Sequence, residues 1–291
     1  MNGQDPQFLF QQAHQFHRQG QLPEAERLYL QLIAGLPMKA EPRHFLGILR
    51  LQQGRFEEAL ALIEVAVRIN PRNAEALANY GHALKSLKRF EEALAAYDRA
   101  LAIEPRFAAA HHHRASVLQE LRHHDEALTG FGRALALNPR AFEALHNRGL
   151  LLINMGHDAE AVADLKQAVA LRPDAAESWN NLGNALANLG EIEEALESYD
   201  RALALRPDFA SALYNRANLL QDRMGRFAEA VLLYDKAVAL APEFADGWNN
   251  RGNALRGLGR IEEGFASYER ALSLRPDHPD ALKGRAQLFF E

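Results

Sequence analysis

No cysteine occurs in the 291-residue chain, so disulfide staples, thiolate metal sites and cysteine nucleophiles are all excluded. Long apolar runs are missing too: nowhere do about 18 apolar residues follow one another. The amino terminus, Met1 to Pro6, lacks the basic start and apolar stretch of a secretory signal. A membrane partner is therefore not expected, and the expected compartment is the cytoplasm. A large excess of either charge is missing, with a formal net charge of −5 and a pI near 6.2, which leaves no general attraction to nucleic acid or anionic lipid. Also absent are a glycine-rich phosphate loop, a nucleophile elbow and any recurrent metal-ligand spacing. Neither catalysis nor a cofactor is expected from such a chain.

What is present is periodic. Pro37, Pro71, Pro105, Pro139, Pro173 and Pro207 are spaced by 34 residues, and Pro242 and Pro276 follow at 35 and 34. A supersecondary unit copied end to end makes an extended surface rather than a deep closed pocket. The copies run over 6–39, 40–73, 74–107, 108–141, 142–175, 176–209, 210–244 and 245–278, with a terminal helix at 279–291. In the sixth copy Trp179, Leu182, Gly183 and Leu186 recur at helical spacing until Leu189-Gly190, which predicts a helix over about 177–189. Ile192, Ala195, Leu196, Tyr199, Ala202 and Leu205 predict a second, with Glu193 and Glu194 favoured in its first turn and Pro207 stopping it. The seventh copy holds one extra residue around Asp222-Arg223-Met224, expected to lengthen or bulge the end of its first helix.

Small residues fill the eighth place (Gly47, Gly81, Ala115, Gly149, Gly183, Ala217, Gly252) and the twentieth (Ala25, Ala59, Ala93, Ala127, Ala161, Ala195, Ala230, Gly264). Bulky ones fill the twenty-fourth: Tyr29, Ile63, Tyr97, Phe131, Leu165, Tyr199, Tyr234 and Tyr268. With proline at the thirty-second place, this pattern resembles the tetratricopeptide repeat family over nearly the whole chain. The resemblance implies an all-α fold: a right-handed superhelical α-solenoid of eight helix-turn-helix repeats whose first helices line the concave face.

Asparagine recurs on that face. Asn79, Asn147, Asn181, Asn215 and Asn250 share the sixth place, interrupted by His113, while Asn184, Asn218 and Asn253 hold the ninth and Asn180 and Asn249 the fifth. Asparagine is a poor former of helix interiors, so its repetition at one register calls for a reason. A side-chain amide carries a donor and an acceptor, enough to grip one peptide unit of an extended ligand. Such a row resembles the superhelical repeat region of the O-linked N-acetylglucosamine transferase, which implies concave asparagines holding peptide backbone.

Histidines form a second unusual set, His111, His112 and His113 with His44, His82 and His146, read as solvated polar groups rather than metal ligands. Arg114, Arg148, Arg216 and Arg251 at the seventh place are expected to lay their stems on the core or pair with acids. Another branch of the family clamps carboxylate tails with lysines at the second and fifth places. Here those places hold Glu75, Glu143, Glu177 and Asp246, and Ala78, His112, His146 and Asn180, so that clamp is missing.

The expected function is a non-catalytic scaffold for protein or peptide ligands held extended in the concave groove. One alternative is the substrate-recognition region of a protein O-glycosyltransferase whose catalytic domain lies outside this chain, an idea prompted by the abrupt apolar end at Leu288, Phe289 and Phe290. Another is a homo-oligomer that stacks end helices through Phe8, Phe16, Phe289 and Phe290.

Overall fold

A computed structural model describes residues 5–288. Every element among them is helical: α1 (Pro6–Arg18), α2 (Leu22–Gly35), α3 (Ala40–Gln52), α4 (Phe56–Ile69), α5 (Ala74–Ser86), α6 (Phe90–Ile103), α7 (Ala108–Glu120), α8 (His124–Leu137), α9 (Phe142–Asn154), α10 (Asp158–Leu171), α11 (Ala176–Leu189), α12 (Ile192–Leu205), α13 (Ala210–Met224), α14 (Phe227–Leu240), α15 (Ala245–Gly257), α16 (Ile261–Leu274) and α17 (Pro279–Gln287). Odd-numbered helices through α15 open the copies and even-numbered ones close them. The chain divides into two compact units, Met1–Ala144 and Leu145–Glu291. Within each, an opening helix packs on its own closing helix, and that closing helix packs on the next opening one.

The turns follow from local chemistry. Between α11 and α12 the chain passes through Gly190 at φ 83°, and the Glu191 amide reaches back to the Leu186 carbonyl at 2.9 Å. Lys88 (φ 59°) and Arg122 (φ 62°) hold the same corner in the third and fourth copies, at a cost of about 1 kcal/mol each for a side chain in the left-handed region. The extra residue of the seventh copy becomes one more helical position, so α13 runs 15 residues before Gly225 turns it at φ 63°.

Each closing helix drives a large side chain into the opening helix beside it. Tyr97, Phe131, Leu165, Tyr199, Tyr234 and Tyr268 are all buried, and the eighth place yields space for them. A methyl group added to Gly183 would meet the Tyr199 ring at 2.6 Å. Gly183→Val should therefore destabilise the second unit by about 1–3 kcal/mol through overpacking, more than the few tenths that a better helix former returns. Urea unfolding of the variant checks this; an unchanged midpoint would mean the ring has room to move.

Between copies runs a chain of ion pairs. The seventh-place arginine of one copy reaches the acid on the closing helix of the copy before it: Arg114 to Asp98 at 2.6 Å, Arg216 to Asp200 at 2.8 Å and Arg251 to Asp235 at 2.5 Å. Arg285 of α17 repeats this with Glu269 at 2.6 Å. The fifth copy departs, because its Arg148 makes two 2.6 Å bonds to Asp164 on its own closing helix. At the ends of the chain, Phe8 is 56% exposed while Phe16 packs against the first core. Phe289 and Phe290 lie outside the described residues.

Candidate functional site

In the second unit α11, α13 and α15 carry asparagines at their sixth and ninth places, and α11 and α15 at their fifth as well, where α13 has Tyr214; these positions share one helix face. The three helices touch in succession. Their amides are joined from helix to helix. Asn215 Nδ2 donates to Asn180 Oδ1 at 3.1 Å, and Asn180 Nδ2 to Asn181 Oδ1 at 3.3 Å. Asn250 Nδ2 donates to both the Tyr214 hydroxyl and Asn218 Oδ1 at 2.9 Å, while Asn249 Nδ2 donates to Asn250 Oδ1 at 2.9 Å.

The fifth-place members, Asn180 and Asn249, are only 6% and 4% exposed. Asn180 accepts from Asn215 on the next opening helix, whereas Asn249 donates to its own helix neighbour Asn250. Asn249 Oδ1 is buried with no partner among the described residues.

The ninth-place asparagines are held differently. Tyr199 donates its hydroxyl to Asn184 Oδ1 at 2.8 Å, Tyr234 to Asn218 Oδ1 at 2.6 Å and Tyr268 to Asn253 Oδ1 at 2.7 Å. These lengths belong to O–H···O bonds, which run shorter than N–H···O bonds. Each Oδ1 thus accepts a tyrosine hydroxyl; the Asn218 amide is also bonded to the Tyr214 side chain, while Nδ2 of Asn184 and of Asn253 has no side-chain partner among the described residues. Burial raises the hydroxyl pKa of Tyr199, Tyr234 and Tyr268's counterpart Tyr97, so the phenols remain donors at neutral pH.

Reading the twenty-fourth place as core filling missed this role. A signal for it was present: tyrosine stands there only in copies whose ninth place is histidine or asparagine (His14, His82, Asn184, Asn218, Asn253), never where it is Ile48, Ser116 or Leu150.

Two cavities open along this face. One of about 390 Å³ is lined by Asn184, Asn215 and Asn218, with Asp222 and Arg223 at its side. The other, of about 920 Å³, lies among Asn250, Asn253, Arg256 and Lys283. A grip through both ends of every amide, as the sequence suggests, is not the geometry found: Asn250 is engaged at both ends, and each ninth-place Oδ1 already accepts a tyrosine hydroxyl. Asn147 sits half-buried on α9.

The first unit is built otherwise. Asn79 Nδ2 lies 2.9 Å from Nε2 of the buried His44. His113 stacks on His82 with ring centroids 5.6 Å apart and on Tyr97 at 6.1 Å, and touches His112 at 4.9 Å. Burial, with His112, His82 and Lys85 nearby, pushes the His113 pKa down to about 3, so its ring is a neutral packing element. The Tyr97 hydroxyl, which faces no asparagine, is buried without a partner among the described residues. His111 Nε2 is bound to the Pro105 carbonyl at 2.9 Å. Among the described residues no group of three His, Asp or Glu side chains could hold a metal ion, and no helix is long and apolar enough to cross a membrane.

Family models for the tetratricopeptide repeat match residues 10–74, 214–279 and 249–291, residues 50–117 and residues 176–209, and a TPR repeat model matches 155–190. The chain belongs to the tetratricopeptide repeat family. No curated protein matches it. Among solved tetratricopeptide repeat structures it is similar to YrrB, "a TPR protein with an unusual peptide-binding site", with 27% identity over 62% of this chain and 93% of that one and a TM-score of 0.56. It is also similar to MamA, with 25% identity over 58% and 92% and a TM-score of 0.53. The pilF protein of Pseudomonas aeruginosa, 22% identical over 75% and 100% with a TM-score of 0.65, shares the fold. Tetratricopeptide repeats are characteristically protein interaction scaffolds.

Proposed function

We propose that this chain is a non-catalytic scaffold that captures peptide segments in extended conformation on the asparagine face of α11, α13 and α15. One observation carries the reading: three tyrosines fix three asparagines through their Oδ1 atoms, and those asparagines line two open cavities. A helix face assembled only for packing would have no use for asparagines repeated at one register beside open cavities. The likeness to YrrB, whose description names a peptide-binding site, supports the same ligand class.

Magnitudes limit the affinity. Three amides at a net of about 0.5–1.5 kcal/mol each sum to roughly 1.5–4.5 kcal/mol, a millimolar contribution at best. Tighter capture would need flanking contacts, for which Arg256 and Lys283 at the α17 end are placed.

The test is an isosteric exchange. In Asn184→Asp, Asn218→Asp and Asn253→Asp combined, one carboxylate oxygen still accepts the tyrosine hydroxyl while the amide donor becomes an acceptor. Retention of an immobilised library of random decapeptides should drop about tenfold or more, with melting nearly unchanged. Equal retention by the variant would sink the reading. Alanine at Asn215 and Asn250 is a poorer probe, because it strips partners from the buried Asn180 and Asn249 and lowers stability as well.

A further inference from the structure

The first unit holds a cavity of its own, away from the asparagine face. About 810 Å³ of space opens against α6, α7 and α8, with Leu101, Pro105, His111, Arg114, Gly130 and Leu137 on its walls. A concave, largely apolar space of that size with a few polar groups is what small-molecule sites have in common. The fourth copy, which supplies most of the walls, differs from other copies at two places, and both border this cavity.

The first difference is a ring. At the fourth place Trp179 and Trp248 donate their indole N–H to the carbonyls of Pro173 and Pro242 at 2.9 and 3.0 Å. His111 makes the same bond from Nε2 to the Pro105 carbonyl at 2.9 Å. An imidazole has no counterpart to the six-membered half of an indole.

The second difference is an oxygen. In the fifth and eighth copies the seventh-place arginine is met by the twenty-third-place side chain of its own closing helix. Asp164 takes two bonds from Arg148 at 2.6 Å, and the Ser267 hydroxyl accepts from Arg251 Nη1 at 2.6 Å. The fourth copy has Gly130 at that place, where a Cβ would stand 2.9 Å from that of Ala115. Arg114 donates Nε to Asp98 at 2.6 Å, and its two terminal nitrogens have no partner among the described residues.

We propose that this cavity binds a small aromatic carboxylate, its ring standing where other copies place an indole and its carboxylate meeting Arg114 as Asp164 meets Arg148. One small molecule can span the two places, because in the eighth copy the Arg251 guanidinium carbon lies only 5.7 Å from the centre of the Trp248 ring. The terminal nitrogens of a guanidinium match the two oxygens of a carboxylate. Of the other charges on the walls, Asp98 already faces Arg114 and Glu126 stands 3.2 Å from His123 Nδ1, while Arg133 adds a second cation. A ring alone leaves the guanidinium unmet, and a carboxylate alone leaves the apolar walls uncovered.

The experiment follows NMR signals of the full chain during titration with indole-3-acetate, indole and acetate. Indole-3-acetate should bind about tenfold or more tightly than either fragment and shift the Gly130 and Leu101 resonances. Two variants remove one role each. His111→Trp lets the chain supply the ring and keeps a donor for the Pro105 carbonyl. Arg114→Met deletes the guanidinium and keeps the stem, and Asp98, 55% exposed, stays hydrated without it. Each variant should weaken indole-3-acetate about tenfold or more. Should one fail to fold, the other carries the test. No binding to the wild-type chain, equal binding of indole and indole-3-acetate, shifts confined to residues outside α6–α8, or unchanged affinity in a folded variant would each overturn the proposal.

Discussion

Arg148→Met will destabilise the second unit by about 3 kcal/mol, the low end of what stranding one partner of a buried ion pair costs. Asp164 is only 3% exposed, and both of its oxygens are held by the Arg148 guanidinium at 2.6 Å. The carboxylate holds the guanidinium pKa above its ordinary range, chiefly through those hydrogen bonds, so the arginine stays charged at every accessible pH. Methionine keeps the stem's packing and deletes only the charge. The carboxylate is then left buried with its bonds unmade. Thermal melting should fall by roughly 6–12 °C for a unit of this size. Adding Asp164→Leu should recover most of the loss, because replacing both partners by apolar groups is far less costly than removing one. A single variant that melts within about 1 kcal/mol of wild type would show that Asp164 reaches water once released.

Acid should weaken the first unit well before the second. His113, His82, His112 and His44 all have pKa values lowered, in each case first by burial, and that of His113 to about 3. Lys85 adds repulsion at His113, His112 and His82, while Glu143 partly offsets the shift at His112, and Glu75 and Glu41 at His44. The sign follows from proton counting. Below an unfolded pKa of about 6.5 the unfolded chain takes up protons that the folded histidines refuse, so stability falls as pH falls, until the folded pKa is reached. Each such group removes about 1.4 kcal/mol per pH unit inside its window, and His113 alone accounts for roughly 3 kcal/mol by pH 4.

The carboxylates of Glu26, Glu58 and Glu92, whose pKa values are lowered chiefly by arginine hydrogen bonds, lose their contribution only below about pH 4.5, so the two effects separate. Both tryptophans, Trp179 and Trp248, belong to the second unit. Between pH 6.5 and 4.5 the urea midpoint followed by circular dichroism should therefore drop further than the midpoint followed by tryptophan fluorescence. Coincident shifts, or an NMR titration of the His113 ring near pH 6.5, would remove the histidine cluster as the cause.

Much of this architecture is legible in the residues. A proline every 34 or 35 positions, with glycine or alanine facing a bulky side chain, is enough to place the helices, because periodicity and helix stops act locally. The extra residue of the seventh copy was visible as well, and its absorption into α13 follows from Gly225 standing one place later to end the helix.

The chemistry of the asparagine face was only half legible. Helical spacing puts Asn180, Asn181 and Asn184 on one side of α11, yet it does not say that Asn180 is enclosed while Asn184 faces a cavity, since that depends on the neighbouring helix. Nor does spacing reveal which end of an amide is in use. That is decided by a hydroxyl 15 or 16 positions away, on the closing helix. His113 shows the converse: it occupies the register of the asparagines, but the rings of His82 and Tyr97 enclose it and turn a polar residue into packing.

The arginine-to-acid pairs between copies bear on how such a chain lengthens. In the seventh copy Arg216 reaches back to Asp200 while Asp235 is reached by Arg251 of the eighth. A duplicate of the seventh or eighth copy thus arrives with a cation for its predecessor and an anion for its successor. The join made by a new duplication is already complementary, and the protein can be extended by gene duplication without first evolving a fresh interface.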